Sequence, residues 1–298
     1  NAATIFNSTV GGGSALLSLT TDAGGTTALN GGLVSTTGAQ TYNDPLILAM
    51  ATTLTSTGGN ITANGAVNAT AGTLTITTGV ANNVSFANGG NDFATVRVTS
   101  GNNVTLGDAN ALDLGPSTIN GTLTVTTNGA LTQSGALAVT GATSLAAGAA
   151  NDITLNLGND FIGRLRVVSG NNVTLNDINA FGIGNGGPSM VSGNLVLTSA
   201  GPVIQTRALT VVGTSDINAG ANAITLTNAG NDFQGAVSLT NSGANNVNIR
   251  DANALTLGTV GVGTGTLTVL TAGAITQTGV ITQAAAAGTV RLQVPDYP

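Results

Sequence analysis

The sequence contains no lysine, glutamate, histidine, cysteine or tryptophan. Each absence closes a route. Without histidine or cysteine, zinc and other transition metals lose their usual ligands. Without histidine or lysine, a serine or threonine nucleophile has no ordinary base beside it. Without cysteine there is no disulfide scaffold, and the redox compartment is left open. Lysine and glutamate are the long polar residues that exposed helix faces need, so helices are disfavoured. Charged residues make up only 6%, against about a quarter in an ordinary soluble domain. No apolar run approaches the roughly 18 residues of a membrane span, so direct membrane insertion is not expected. The six arginines stand scattered along a chain of net charge −6. Nucleic acid, which requires a basic patch, is not expected as a partner.

What is present is β-branched and turn-forming. Threonine, valine, leucine, isoleucine and alanine alternate with asparagine and glycine, and hydrophobic residues reach 41%. That suffices to fill a narrow core with few aromatics. Leu123-Thr-Val125-Thr, Ile153-Thr-Leu155-Asn and Ile224-Thr-Leu226-Thr alternate with period two, the mark of half-buried strands. Gly, Asn or Asp separates such pieces.

The pieces recur in order. Gly129-Ala-Leu-Thr-Gln133 returns as Gly201-Pro-Val-Ile-Gln205 and as Gly273-Ala-Ile-Thr-Gln277, with the glutamines 72 residues apart each time (205−133 and 277−205). Asn91-Asp92-Phe93 returns as Asn159-Asp160-Phe161 and Asn231-Asp232-Phe233. Asp108-Ala-Asn-Ala-Leu112 returns as Asp177-Ile-Asn-Ala-Phe181 and Asp251-Ala-Asn-Ala-Leu255. Three phrases in one order, three times over, mark a repeat array. The pattern predicts an all-β fold: a parallel β-helix, or β-solenoid, with about three strands per coil. The chain reads as a single solenoid over 1–298, with diverged coils over 1–90 and repeats at 91–158, 159–230 and 231–298. Each repeat is expected to hold three coils of roughly 24 residues, for about 12 to 14 coils in all, on the order of 60 Å of stacked strands. Pro295 and Pro298 are expected to end the strand pattern.

The recurring acids are the first candidate site. Asp92, Asp160 and Asp232 are copies of one another, and so are Asp108, Asp177 and Asp251. A catalytic site is normally built once. Acids that recur with the repeat, beside Asn or Gly, read as structural turn aspartates whose carboxylates bond nearby backbone N–H groups. No calcium nonapeptide run or EF-hand loop is present, so no metal and no cofactor is expected. Asn60-Ile-Thr62, Asn103-Val-Thr105 and Asn172-Val-Thr174 read as strand starts. Arg97 and Arg166 occupy matching positions after the recurring phenylalanine and are candidates for contact with an anionic glycan; the plainer reading is a solvated charge. A threonine column for binding ice looks broken from repeat to repeat, at Thr124, Val196 and Thr268.

The phrases Gly-Asn-Asp-Phe, Asp-Ala-Asn-Ala-Leu-x-Leu-Gly, Gly-Ala-Ile-Thr-Gln-x-Gly and Thr36-Thr-Gly-Ala-Gln-Thr-Tyr-Asn-Asp44 resemble the repeats of filamentous haemagglutinin-like bacterial adhesins, over about residues 30 to 283. The resemblance implies a right-handed parallel β-helix outside the cell or on its surface, used as a stalk or filament subunit, and it carries over no site residues. Unpaired strand edges at the ends of such a stack would favour end-to-end self-association. A surface glycan or host receptor is the alternative partner. A polysaccharide-degrading enzyme is the remaining alternative; it would need non-repeated groups side by side, such as Asp152 near Arg164.

Overall fold

A computed structural model describes residues 2–294; the proline positions 295 and 298 lie outside the described residues. Among the described residues the chain forms 36 strands and no helix. It divides into two compact units, Asn1–Ala142 and Thr143–Pro298.

Every strand pairing within each unit is parallel. In the first unit one ladder runs through Leu19–Thr20, Gln40–Tyr42, Ile61–Ala63, Val84–Phe86, Val104–Asp108 and Leu123–Thr127. In the second unit a ladder of eight strands runs from Thr143–Ala146 through Leu165–Ser169, Phe181–Ile183, Val203–Gln205, Ile224–Leu226, Val247–Asp251 and Leu267–Thr271 to Val290–Gln293. Between successive rungs the chain visits two other ladders. One holds Ile153–Phe161, Val173–Asp177, Leu195–Ser199, Ser215–Asn218 and Val237–Asn241. The other holds Ser189–Val191, Leu209–Val211 and Asp232–Phe233. Three strands therefore make one coil, and each unit is a parallel β-solenoid.

Alternation sets which residues fill the core. In Leu123–Thr127 and Val247–Asp251, buried residues occupy every second position, because successive side chains leave opposite faces of a strand. Inward leucine, valine and isoleucine stack on their counterparts one coil away: Ile224 lies opposite Val247, and Val247 opposite Leu267. Phe86, Phe93, Phe161, Phe181 and Phe233 are all buried. Phe86 meets Phe93 at 6.2 Å between ring centres, and Phe161 meets Phe181 edge-on at 6.4 Å. Few aromatics suffice because the core is only one coil wide.

The coil is shorter than the repeat predicts. Those two steps are 23 and 20 residues (247−224 and 267−247), not a uniform 24. A repeat consequently does not hold a whole number of coils. Val173–Asp177 and Val247–Asp251 are the same phrase, one repeat apart and ten strands apart in chain order. From Val173 three coils on one ladder lead through Leu195 and Ser215 to Val237, and Val247–Asp251 is the next strand, one side further round. The two copies accordingly lie on different ladders of the second unit. Leu195–Ser199 and Leu267–Thr271, also equivalent, show the same displacement. Repetition of sequence does not require equivalent residues to stack on one face, because the three sides of the coil offer nearly the same inward environment.

Glycine allows the close approach that keeps coils in contact. A Cβ on Gly129, Gly201 or Gly273 would lie 2.6, 2.6 and 2.8 Å from the backbone nitrogen of Ala111, Ala180 and Ala254 respectively. The first residue of one recurring phrase thus rests on the Asn-Ala of another. The sequence keeps the two phrases together because each fits the other's backbone.

Candidate functional site

The recurring aspartates form the same arrangement in three places. Asp108, Asp177 and Asp251 are buried. One carboxylate oxygen accepts a hydrogen bond from the backbone N–H two residues on: Asn110 at 2.8 Å, Asn179 at 2.8 Å and Asn253 at 2.6 Å. That half is the local turn expected from aspartate. The other oxygen reaches the neighbouring coil and accepts from the N–H of Phe93, Phe161 and Phe233 at 2.8, 2.8 and 2.7 Å. Each carboxylate is thus a clamp between two coils.

The second set of aspartates lies beside the first. Asp92, Asp160 and Asp232 accept from the side-chain amides of Asn110, Asn179 and Asn253 at 3.0, 2.7 and 3.1 Å. Burial pushes the carboxyl pKa of Asp108, Asp177 and Asp251 above the ordinary range. Bonds from the two backbone N–H groups pull the other way, and the adjacent carboxylate of Asp92, Asp160 or Asp232 raises it further. A paired acid with one raised pKa can resemble an acid–base dyad. Here both oxygens of the inner member are engaged by backbone, so the geometry serves cohesion.

The asparagine of the same phrase is a site residue that pattern reading missed. Asn91, Asn159 and Asn231 are fully buried. Asn91 donates to the carbonyls of Phe86 and Gly107, both at 2.9 Å, and accepts from the N–H of Val67 at 2.8 Å. Asn231 bonds the Gln205 side chain in both directions at 2.8 Å, which joins the asparagine phrase to the recurring glutamine. Its invariance across the three phrases was the available signal.

A second asparagine series lies at the strand starts. In the first unit Asn60 accepts from the N–H of Asn83, Asn83 from that of Asn103, and Asn103 from that of Thr122, at 2.8, 3.1 and 3.0 Å. In the second unit Asp152 accepts from Asn172, Asn172 from Asn194, and Asn194 from Thr214, at 3.0, 3.1 and 2.8 Å. Each side chain satisfies the first backbone donor of the next coil. Asp152, the carboxylate considered with Arg164, is engaged in this ladder and also accepts from the side chains of Asn171 and Asn172.

The outward positions differ between the units. In the first unit Thr20, Thr41, Thr62, Ser85, Thr105 and Thr124 form an unbroken hydroxyl column, each opposite the next. The corresponding positions of the second unit are interrupted coil by coil: Thr174 lies opposite Val196, and Val196 opposite Asp216. In the second unit the arginines are not scattered as their sequence positions suggest. Arg164, Arg166, Arg207, Arg250 and Arg291 all lie on or beside the outward side of the eight-strand ladder. Arg97 lies in the first unit, exposed and opposite Thr75. Arg166 lies opposite Ser144 in the second unit, its Nε donating to the carbonyl of Pro188 at 2.9 Å. The two candidates therefore belong to separate units. Among the described residues, no cluster of three or more acidic, histidine or cysteine side chains could hold a metal ion.

Comparison with curated proteins and with solved structures finds no match. A family described as Repeats of unknown function (DUF5649) matches three times, over residues 101–168, 170–240 and 244–294. These stretches contain the aspartate clamps of residues 108, 177 and 251 and cover more than half of the chain, so the protein belongs to the DUF5649 repeat family.

Proposed function

We propose that the chain is a structural stalk or filament segment of a bacterial surface adhesin, held outside the cell or on its surface. The observation that carries this reading is the aspartate clamp. The polar groups that recur most faithfully, Asp108, Asp177 and Asp251, are buried and bonded to backbone on both oxygens. A surface selected for chemistry would present its recurring polar groups to solvent; a fibre selected for length ties them to the next coil. The displacement of equivalent phrases onto different sides of the coil supports the same reading, since it removes any single face on which copies of a site would accumulate. No catalytic step and no cofactor belongs to this function. Self-association in this reading is end to end, coil on coil, repeating between chains the contact made within them.

Two measurements test it. Antibody raised against the chain should label intact cells of the producing bacterium, and external protease should remove the label; labelling that appears only after lysis would overturn the surface assignment. Electron microscopy of concentrated purified chain should show particles joined at their ends. Monodisperse single chains at high concentration would remove end-to-end association.

A further inference from the structure

We infer that the outward side of the eight-strand ladder in the second unit binds an acidic polysaccharide with about one carboxylate for every two sugars. The row of arginines carries this. Counting rungs from Leu165–Ser169, Arg164 and Arg166 stand at the first. Arg207 follows the third rung, Val203–Gln205; its Cβ and Cγ approach within 2.8 and 3.1 Å of where a Cβ on Gly184 would stand. Arg250 lies on the fifth rung, opposite Leu270, and Arg291 on the seventh, opposite Thr268. Along the stack positive charge therefore recurs every second coil, about 10 Å apart axially and over about 30 Å in all, with Arg250 two residues further along its strand than the position in line with Arg291.

The row is free to bind. Arg164, Arg207, Arg250 and Arg291 are exposed and Arg166 is half-buried. None of the five forms an ion pair among the described residues. The described acids of this unit are otherwise engaged: Asp216 lies on a different ladder, opposite Val196 and Ser238, Asp177 and Asp251 are buried in their clamps, Asp152 accepts from Asn171 and Asn172, and Asp160 and Asp232 accept from Asn179 and Asn253. Five unpaired guanidinium groups on one side of a chain of net charge −6 form a local positive stripe. Between them the outward residues of successive rungs are Gly182, Ile204, Thr225, Asn248 and Thr268. Gly182 lies on the second rung and Gly184 directly follows it, with the stem of Arg164 lying across Gly182. Left-handed φ of +103° at Gly184, and a Cβ there that would stand 2.7 Å from the nitrogen of Arg207, keep that position glycine.

Spacing selects the ligand class. Guanidinium pairs with a carboxylate through two parallel hydrogen bonds. One extended sugar ring is close in length to one coil, so a charge on alternate sugars meets an arginine on alternate coils. Nucleic acid places its phosphates about 3.4 Å apart along each strand, far denser than the row can match.

The test is binding of the full chain to hyaluronate, a uronate on every second sugar, by affinity electrophoresis at low salt. Hyaluronate should retard the chain, uncharged dextran should not, and the effect should fade as salt shortens the Debye length from about 10 Å to about 3 Å. Arg207→Gln with Arg250→Gln, two exposed changes that leave the thermal midpoint in place, should weaken binding by about tenfold or more. Arg97→Gln, in the other unit, should leave it unchanged. Absence of retardation, an undiminished affinity in the double variant, an equal loss from Arg97→Gln, or tighter binding of single-stranded DNA than of hyaluronate would each overturn the assignment. The outcome does not depend on whether the chains join end to end.

Discussion

The two units use the same inward chemistry and different outward chemistry. Asp108 in the first unit and Asp177 and Asp251 in the second make the same pair of backbone bonds. Gly129, Gly201 and Gly273 rest on the same Asn-Ala backbone in both. Outside, the first unit carries a neutral hydroxyl column from Thr20 to Thr124, while the second carries arginines. The lesson concerns where selection can act. A position that touches the next coil is fixed by that coil. An outward position has only solvent to satisfy, and can change without cost to the stack.

The comparison can be broken most forcefully at the glycines. Gly129→Ala, Gly201→Ala and Gly273→Ala each place a methyl against backbone that cannot rotate away, and each should cost about 3 kcal/mol. Urea unfolding checks this; a cost confined to one unit would mean that the shared phrase is not a shared contact. Next come the clamps. Asp177→Asn and Asp251→Asn put an amide donor where two N–H groups require an acceptor, and each should cost about 1–3 kcal/mol. Similar losses at the two sites are expected although they lie on different ladders.

The pH dependence is smaller and has an unusual sign. Burial raises the native pKa of Asp177 above its ordinary value near 4. The native state therefore holds that proton to higher pH than the unfolded chain does. The resulting stabilisation is complete below the ordinary aspartate value and is lost as pH rises through the raised one. The stability gap between the wild type and Asp177→Asn should widen as pH falls from 7 to about 4; a gap that narrows would contradict the burial argument. The smallest effect is expected outside. Thr105→Val, in the middle of the hydroxyl column, should change stability by no more than about 0.5 kcal/mol in either direction, and a larger loss would show that the column supports the coils.

Much of the fold was legible. Alternation in Leu123-Thr-Val125, Ile153-Thr-Leu155 and Ile224-Thr-Leu226 named residues that are all buried, and three strands per coil followed from short pieces between turns. The local half of the aspartate clamp was legible too, because an Asx turn involves neighbours in sequence. Its other half was not, since Phe93 and Asp108 meet only once coil length is known. The same ignorance hid the arginine row. Arg164, Arg207, Arg250 and Arg291 fall at unequal intervals in sequence, and only the rungs, each a different number of residues apart, place them on alternate coils of one ladder. The repeat itself misled: 72 divides neatly by 24, whereas the coils vary and one repeat runs three coils and one side further.

That offset has a genetic consequence. Tandem repeats gain and lose copies by recombination between their own DNA. In most arrays such an event only changes length. Here, loss or duplication of one repeat would also turn everything downstream by one side of the coil, because a repeat runs three coils and one side further. A binding stripe would then face a new direction although no residue in it had changed.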